Sequence, residues 1–170
     1  MKILLRPWRA EDIASVARYA NNPHIAANLR DVFPSPYTLS DAQWFVDDCM
    51  EKGDAAGLNR AVVVDGEAIG SVSVLLQADV YRKSAELGYW LAEPFWNRGI
   101  MRAAVGMICA QAFGRYDIVR IFAEPFAHNT ASRKVLEGCG FSLEGMKKNS
   151  VYKNGCYADS CMYALLREQL

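Results

Sequence analysis

A chain of 170 residues with 52% apolar side chains can bury roughly 70% of its unfolded surface around one core, so no disulfide or metal staple is required. Lys+Arg and Asp+Glu each number 19, which leaves no global field to draw in nucleic acid or an anionic membrane, and neither is expected as a partner. The five cysteines, Cys49, Cys109, Cys139, Cys156 and Cys161, form no CxxC pair and no Cys/His cluster of zinc spacing; they read as reduced thiols of a cytosolic chain that uses no metal. The opening MKILLRPWRAED lacks the apolar run of a leader, and no later run approaches the roughly 20 residues of a membrane helix. A cytoplasmic, unprocessed protein with one domain over 1–170 is therefore expected.

In chain order, Lys2 to Trp8 reads as a strand ended by Arg6-Pro7, and Ala10 to Ala20 as a helix with Ile13, Val16 and Ala17 on one face. Asn21-Asn22-Pro23 stops that helix. His24 to Tyr37, with Pro34 and Pro36, suggests a short helix and then an irregular loop. Ser40 is the expected N-cap of the next helix, with Gln43 completing a capping box and Gly53 at the end. From Ala61, AVVVDGEAIGSVSVLL has two β-branched runs about an Asp65-Gly66 turn, a hairpin signature, and Lys83 to Leu91 should pair next in an antiparallel meander. Gly99 then opens a helix to about Phe113, followed by a strand over Ile118 to Glu124, which together with the preceding strand makes a βαβ unit. Asn129 to Glu137 is a second helix, stopped by Gly138 and Gly140. Strands Phe141 to Tyr152 and Tyr157 to Leu165 close the chain about an Asn154-Gly155 turn. The order predicts an α/β (α+β) fold, a mixed sheet with helices on both faces.

The chemistry centres on ELGYWLAEPFWNRGIMR, residues 86–102. A helix that starts on a residue without a side chain offers free backbone N–H groups and the positive end of its dipole, which together suit an anion. The amides of Arg98, Gly99, Ile100, Met101 and Arg102 are the donors; a plain turn or cap at Gly99 is the alternative reading. Strand alternation puts Glu86, Gly88 and Trp90 on one face and Leu87, Tyr89 and Leu91 on the other. His24 and His128 have no partner at useful spacing.

Four segments in order, LRPWRAEDI, AELGYWLAEPFWNRGIMRAAV, NTASRKVLEGCGF and YKNGCYADSCMYALL, resemble the Gcn5-related N-acetyltransferases (GNAT), in particular the branch that acetylates N-termini of ribosomal proteins. The resemblance implies a mostly antiparallel twisted sheet of about 6–7 strands with a V-shaped splay between its central strands. It implies acetyl-CoA as co-substrate, its pyrophosphate at a turn of form Q/R-x-x-G-x-G/A. Here Trp96 stands at the Q/R position, Gly99 keeps the central glycine and Met101 replaces the final small residue. Pantetheine would lie along Tyr89-Trp90-Leu91 as a surrogate strand, with a backbone N–H at or near Leu91 stabilising the oxyanion. By the same resemblance Asn129 would bind pantetheine, an N-cap role being the plainer reading. Ser132 would sit near the thioester sulfur, where the alternative is a small residue that permits close packing. The family's tyrosine acid is absent, because its position is Leu136.

Glu86 is the candidate base on the resemblance, with a solvated strand carboxylate as the alternative. An α-amine of pKa ~8 costs ~1.4 kcal/mol to deprotonate at pH 7, against ~4.6 kcal/mol for a lysine near 10.4, so an N-terminal amine needs only modest help. Tyr37, Trp44 and Phe45 near the Phe33 to Leu39 loop, and Tyr152, Tyr157 and Asp159 in the last hairpin, are possible acceptor contacts, although Trp44 and Phe45 as helix aromatics read more readily as core. Arg102 and Arg133 either reach phosphates or are solvated. The expected acceptor is a protein N-terminus. A small amine such as a polyamine, amino acid or aminoglycoside, a non-catalytic acyl-CoA sensor of the same fold, and a structural nucleotide-binding domain are the alternatives, and a monomer and a homodimer both fit.

Overall fold

The computed structural model describes residues 1–170. Seven strands form one sheet in the order β1-β2-β3-β4-β5-β7-β6. They are β1 (Ile3–Arg6), β2 (Gly57–Val64), β3 (Glu67–Leu76), β4 (Ser84–Leu91), β5 (Arg120–Ala123), β6 (Ser142–Lys153) and β7 (Cys156–Leu166). Every neighbouring pair is antiparallel except β4 and β5. That parallel pair needs a crossover, supplied by helix α4 (Ile100–Arg115). The mixed, mostly antiparallel sheet and the βαβ unit match the expectation from sequence.

The sheet separates two cores. On one face, α4 buries Ile100, Met101, Ala104, Val105, Ile108, Cys109, Ala112 and Phe113 against β-strand residues including Val62, Val72, Leu87, Ile121 and Tyr163. The alanines let the helix axis approach the sheet closely, and the buried stripe is wider than that of a surface helix because α5 (Thr130–Gly138) covers its flank. On the other face, α1 (Ile13–Ala20) and α3 (Leu39–Lys52) enclose a smaller cluster containing Trp8, Val16, Ala20, Tyr37, Ala42, Val46, Ala61 and Val63. The short α2 (Pro23–Ala26) starts on Pro23 with Asn22 as its cap, as suits a proline in a first turn.

Three local expectations are corrected. The first helix is split: Ala10–Asp12 is a 3-10 turn, and α-geometry begins only at Ile13. The cause is Asp12, whose carboxylate accepts from the Arg9 amide (2.9 Å) and from both Arg6 nitrogens (2.7 and 2.8 Å), pinning the turn to the end of β1. The cap of α3 is Thr38, not Ser40: the Asp41 amide donates to Thr38 Oγ1 (3.2 Å) and the Thr38 amide to Asp41 Oδ2 (2.7 Å). The reciprocal box closes between Thr38 and Asp41, so the helix starts at Leu39. Trp44 is not core, being 66% exposed, whereas Phe45 packs edge-on to Trp8 at 5.1 Å.

Candidate active site

β4 is paired on both sides only over its first half. Against β3 its register runs from Ala85 to Leu91, but against β5 it stops at Glu86↔Phe122. The Val119 amide donates to the Lys83 carbonyl on the β5 side (2.9 Å), and the Ala92 amide to Ile69 on the β3 side (2.8 Å). Alternation then directs the N–H and C=O groups of Tyr89 and Leu91 into the opening, an unpaired strand edge in the middle of a sheet. This is the predicted splay.

Two residues hold the edge in place. Trp96 Nε1 donates to the Leu91 carbonyl (2.7 Å), so the residue at the family's Q/R position closes the acceptor of Leu91 and leaves its N–H free. At Gly70, opposite Leu91, a Cβ would stand 2.5 Å from the Trp90 carbonyl oxygen. Only glycine lets β3 approach β4 this closely there.

Beyond the edge, the chain turns through Asn97 (φ 59°) and Gly99 (φ 73°), both left-handed, and enters α4. The first helical bond is Ala103 N–H to Gly99 C=O (3.1 Å), and Gly99 offers no side-chain cap. The amides of Ile100, Met101 and Arg102 are therefore unpaired donors at the positive end of a 16-residue helix. Met101 departs from the motif without blocking it, because its side chain is buried in the core at 6% exposure. From Gly99 an open groove of about 460 Å³ runs past Arg102, Ala103, Gly106 and Met107 to Gly138 and Cys139. Arg102 Nε donates to the Gly138 carbonyl (3.0 Å), joining α4 to the end of α5. The exposed Arg98 guanidinium lies 5.6 Å over Phe95.

Asn129 caps α5, its Oδ1 accepting from the Ser132 amide (3.2 Å); its Nδ2 makes no protein hydrogen bond. Ser132 Oγ lies 2.6 Å from the hydroxyl of Tyr89, whose side chain carries no signal of this contact in the sequence. Burial pushes the Tyr89 phenol well above its ordinary value, so it remains an O–H. Leu136, at the position of the family's tyrosine, is completely buried. Arg133 is engaged by Tyr163 (3.0 Å) and the Ala127 carbonyl (3.2 Å), which explains it as structural.

Glu86 and Trp90 lie on the opposite face of the sheet from Ser132, toward α1, α2 and α3. Glu86 Oε1 accepts from Arg30 Nη2 at 2.5 Å. Across the splay on the same face, Glu124 accepts from Ser160 Oγ (2.8 Å) and pairs with Lys147 (3.0 Å), and Ser150 Oγ is 2.6 Å from Ser160 Oγ. Glu124, Ser150 and Ser160 line a cavity of about 330 Å³ with Leu29, Arg30, Asp31, Phe126 and Tyr152–Lys153. Asp159 is held by Lys148 (3.2 Å) and the Asn149 amide (2.8 Å) and shapes the hairpin. The rings of Tyr152 and Tyr157 lie 5.2 Å apart, tilted 52° to each other, on its exposed side. Glu124 was visible in sequence only as the last residue of a strand, and Arg30 only as part of an irregular segment.

Comparison with known proteins decides the family. Residues 2–142 match the family model described as "Acetyltransferase (GNAT) domain". The chain belongs to the GNAT family. It is 33% identical over 116 residues to the Bacillus subtilis (strain 168) protein described as "Putative ribosomal N-acetyltransferase YdaF", covering 68% of this chain and 63% of that one. The match thus spans less than two thirds of that relative's length. Among solved structures, Mycobacterium smegmatis RimJ in complex with CoA-disulfide is 26% identical with a TM-score of 0.88, covering 99% of this chain and 83% of RimJ. Spermidine N-acetyltransferase from Vibrio cholerae, in complex with CoA and spermine, shares the fold at a TM-score of 0.81 and 21% identity, covering 98% and 96% of the two chains.

Proposed function

We propose that the protein transfers the acetyl group of acetyl-CoA to the α-amine of a polypeptide N-terminus by direct attack. The observation that carries this reading is the unpaired edge at Tyr89 and Leu91, beside three free amides of α4 and an open groove. An extended amide chain can complete the edge as a surrogate strand, and Ile100, Met101 and Arg102 can hold its pyrophosphate. RimJ, which shares the fold, was solved with a CoA-disulfide.

In this reading the Leu91 N–H donates to the thioester carbonyl oxygen and stabilises it as charge develops. Tyr89, kept protonated by burial, donates to Ser132 Oγ, which frees the serine hydrogen for the departing sulfur. Asn129 Nδ2, which has no protein partner, donates in this reading to a carbonyl of the acyl carrier. The amine approaches from the opposite face, where Glu86 and Glu124 flank the opening and can take its proton directly or through water. Nucleophile and leaving group thus occupy opposite faces of one splayed sheet, and confinement supplies much of the rate.

An α-amine suits the acceptor wall better than a polyamine. On this side of the sheet three acids, Glu86, Asp31 and Glu124, are each paired with a base, Arg30, Lys153 and Lys147. A polycation needs an acidic excess, and none is built here. The experiment is thiol release from acetyl-CoA with N-terminal peptides, polyamines and aminoglycosides offered in parallel. Release with peptides supports the reading; release with spermidine alone replaces it by the small-amine reading, and binding without release leaves a sensor.

A further inference from the structure

The ion pairs of the acceptor wall are unequal in a way that bears on what binds there. In the Arg30–Glu86 pair the arginine side chain is 68% exposed and the glutamate 25%. In the Lys153–Asp31 pair the order is reversed: the lysine side chain is only 14% exposed and the aspartate 83%. Arg30 and Asp31 are adjacent in the chain and both line the cavity; Arg30 donates to Glu86 of β4 and Asp31 accepts from Lys153 at the end of β6.

An ammonium that enters to reach Glu86 competes with Arg30. Glu86 is fixed on a strand and Arg30 is a long exposed side chain on a turn, so the arginine is the group that yields. Its guanidinium then stands at the cavity mouth without a counter-ion. Lys153, in the same cavity lining, is largely buried, and its only ionic partner is a solvent-exposed aspartate that water and salt compete for. A shielded cation with a weakly held partner gains from a fixed anion. The cavity lining thus carries the cations Arg30 and Lys153 and the carboxylates Asp31 and Glu124, with Glu86 one hydrogen bond beyond Arg30.

We propose that Arg30 and Lys153 read a carboxylate on the acceptor, so that the preferred acceptor is an amine with a carboxylate within about two residues of the reacting nitrogen, the span of an extended dipeptide at ~3.3 Å per residue. This inference rests on the α-amine reading above and adds its specificity. The carboxylate can come from an acidic side chain at the second position of a peptide or from the α-carboxylate of a free amino acid.

The test uses the whole protein and C-terminally amidated peptides that begin Ser-Asp, Ser-Ala and Ser-Lys, together with free serine and serinamide. Binding to the CoA-loaded protein is followed by calorimetric titration, and turnover by thiol release. The expected result is that Ser-Asp binds and turns over about tenfold better than Ser-Ala, with Ser-Lys worse again, the scale of one charge-assisted hydrogen bond. If the free amino acid is the source, serine exceeds serinamide by the same factor and the peptides differ less. In Lys153→Gln and Arg30→Gln the acidic-to-neutral ratio falls toward one. Asp31→Asn, which removes the pin across the cavity but keeps the lysine, preserves or raises that ratio and so separates charge reading from loop collapse. Equal use of all peptides together with equal use of serine and serinamide, or a preference for Ser-Lys, overturns the proposal. Selective binding of Ser-Asp with no thiol release keeps it and overturns the transferase reading instead.

Discussion

The hydroxyls of Tyr89 and Ser132 lie 2.6 Å apart and join the open edge of β4 to the first turn of α5. The tyrosine comes from the strand whose N–H groups face the opening, and the serine from a helix capped by Asn129. Neither residue is where the family's tyrosine acid would be, since that position is the buried Leu136. In the proposed reaction this pair takes the part of the proton donor.

Replacing Ser132 by Ala should lower kcat by about 10- to 100-fold, the lower part of what a positioned proton donor contributes because a thiolate leaves readily and water can substitute. Affinity for CoA should be unchanged within error. Tyr89→Phe should also lower kcat, by less, because the serine keeps its hydrogen but loses its fixed direction. Single-turnover kinetics with a titration of CoA binding check both. A Ser132→Ala enzyme of full activity would assign the residue to packing alone.

Gly99→Glu should abolish measurable acetyl-CoA binding. A Cβ at Gly99 meets nothing within 4 Å, so sterics are not the cause, but φ is +73°. Any L side chain is strained there by about 1–2 kcal/mol, and a carboxylate would also oppose an anion at the three free amides. Gly99→Ala separates the terms, keeping binding at a cost in stability. Equal affinities for all three proteins would exclude the α4 N-terminus as the anion site.

Much of this was legible in the chain itself. The Asp65-Gly66 and Asn154-Gly155 turns fixed two hairpins, Gly99 marked the helix mouth, and the parallel step from β4 to β5 followed from the intervening helix. Local signals sufficed there because turn chemistry and alternation act over a few residues. The acceptor wall was not legible. Arg30 meets Glu86 across 56 positions and Lys153 meets Asp31 across 122, and no local pattern encodes contacts at such separation. In sequence Trp96 is only a departure from a motif, and its bond to the Leu91 carbonyl appears once the turn is folded.

Glu86→Gln and Glu124→Gln address the acceptor side. Each should depress transfer more at low pH, where the amine is charged, and the double variant should lose more than either, since the two carboxylates flank one opening. The pH–rate profile over the range where an α-amine of pKa ~8 titrates is the measurement. A profile unchanged in both single variants would mean that water alone removes the proton.

Asp54 gives a stability prediction away from the site. Its carboxylate takes both Arg60 nitrogens (2.7 and 2.8 Å) and Arg115 (2.8 Å). Its carbonyl accepts from the Tyr116 hydroxyl (2.7 Å). The hydrogen bonds from Arg60 hold the Asp54 carboxyl below its ordinary value of 3.8. A lowered folded value means that the unfolded chain binds the proton more readily, so this stabilisation is present above about pH 4 and is lost as pH falls through the folded value. Asp54→Asn should cost about 1–3 kcal/mol at pH 7, the scale of a hydrogen-bonded ion. Urea unfolding at pH 7 and pH 3 should show that the wild-type advantage shrinks in acid.

The unpaired edge of β4 beside the α4 N-terminus is the feature on which the functional reading depends. The most direct measurement is time-resolved thiol release from acetyl-CoA with an N-terminal serine peptide as acceptor, with the product mass determined alongside. The account predicts stoichiometric release of CoA with a single acetyl group on the peptide α-amine. Tight acetyl-CoA binding with no thiol released for any amine, or acetyl found only on a lysine side chain, would contradict it.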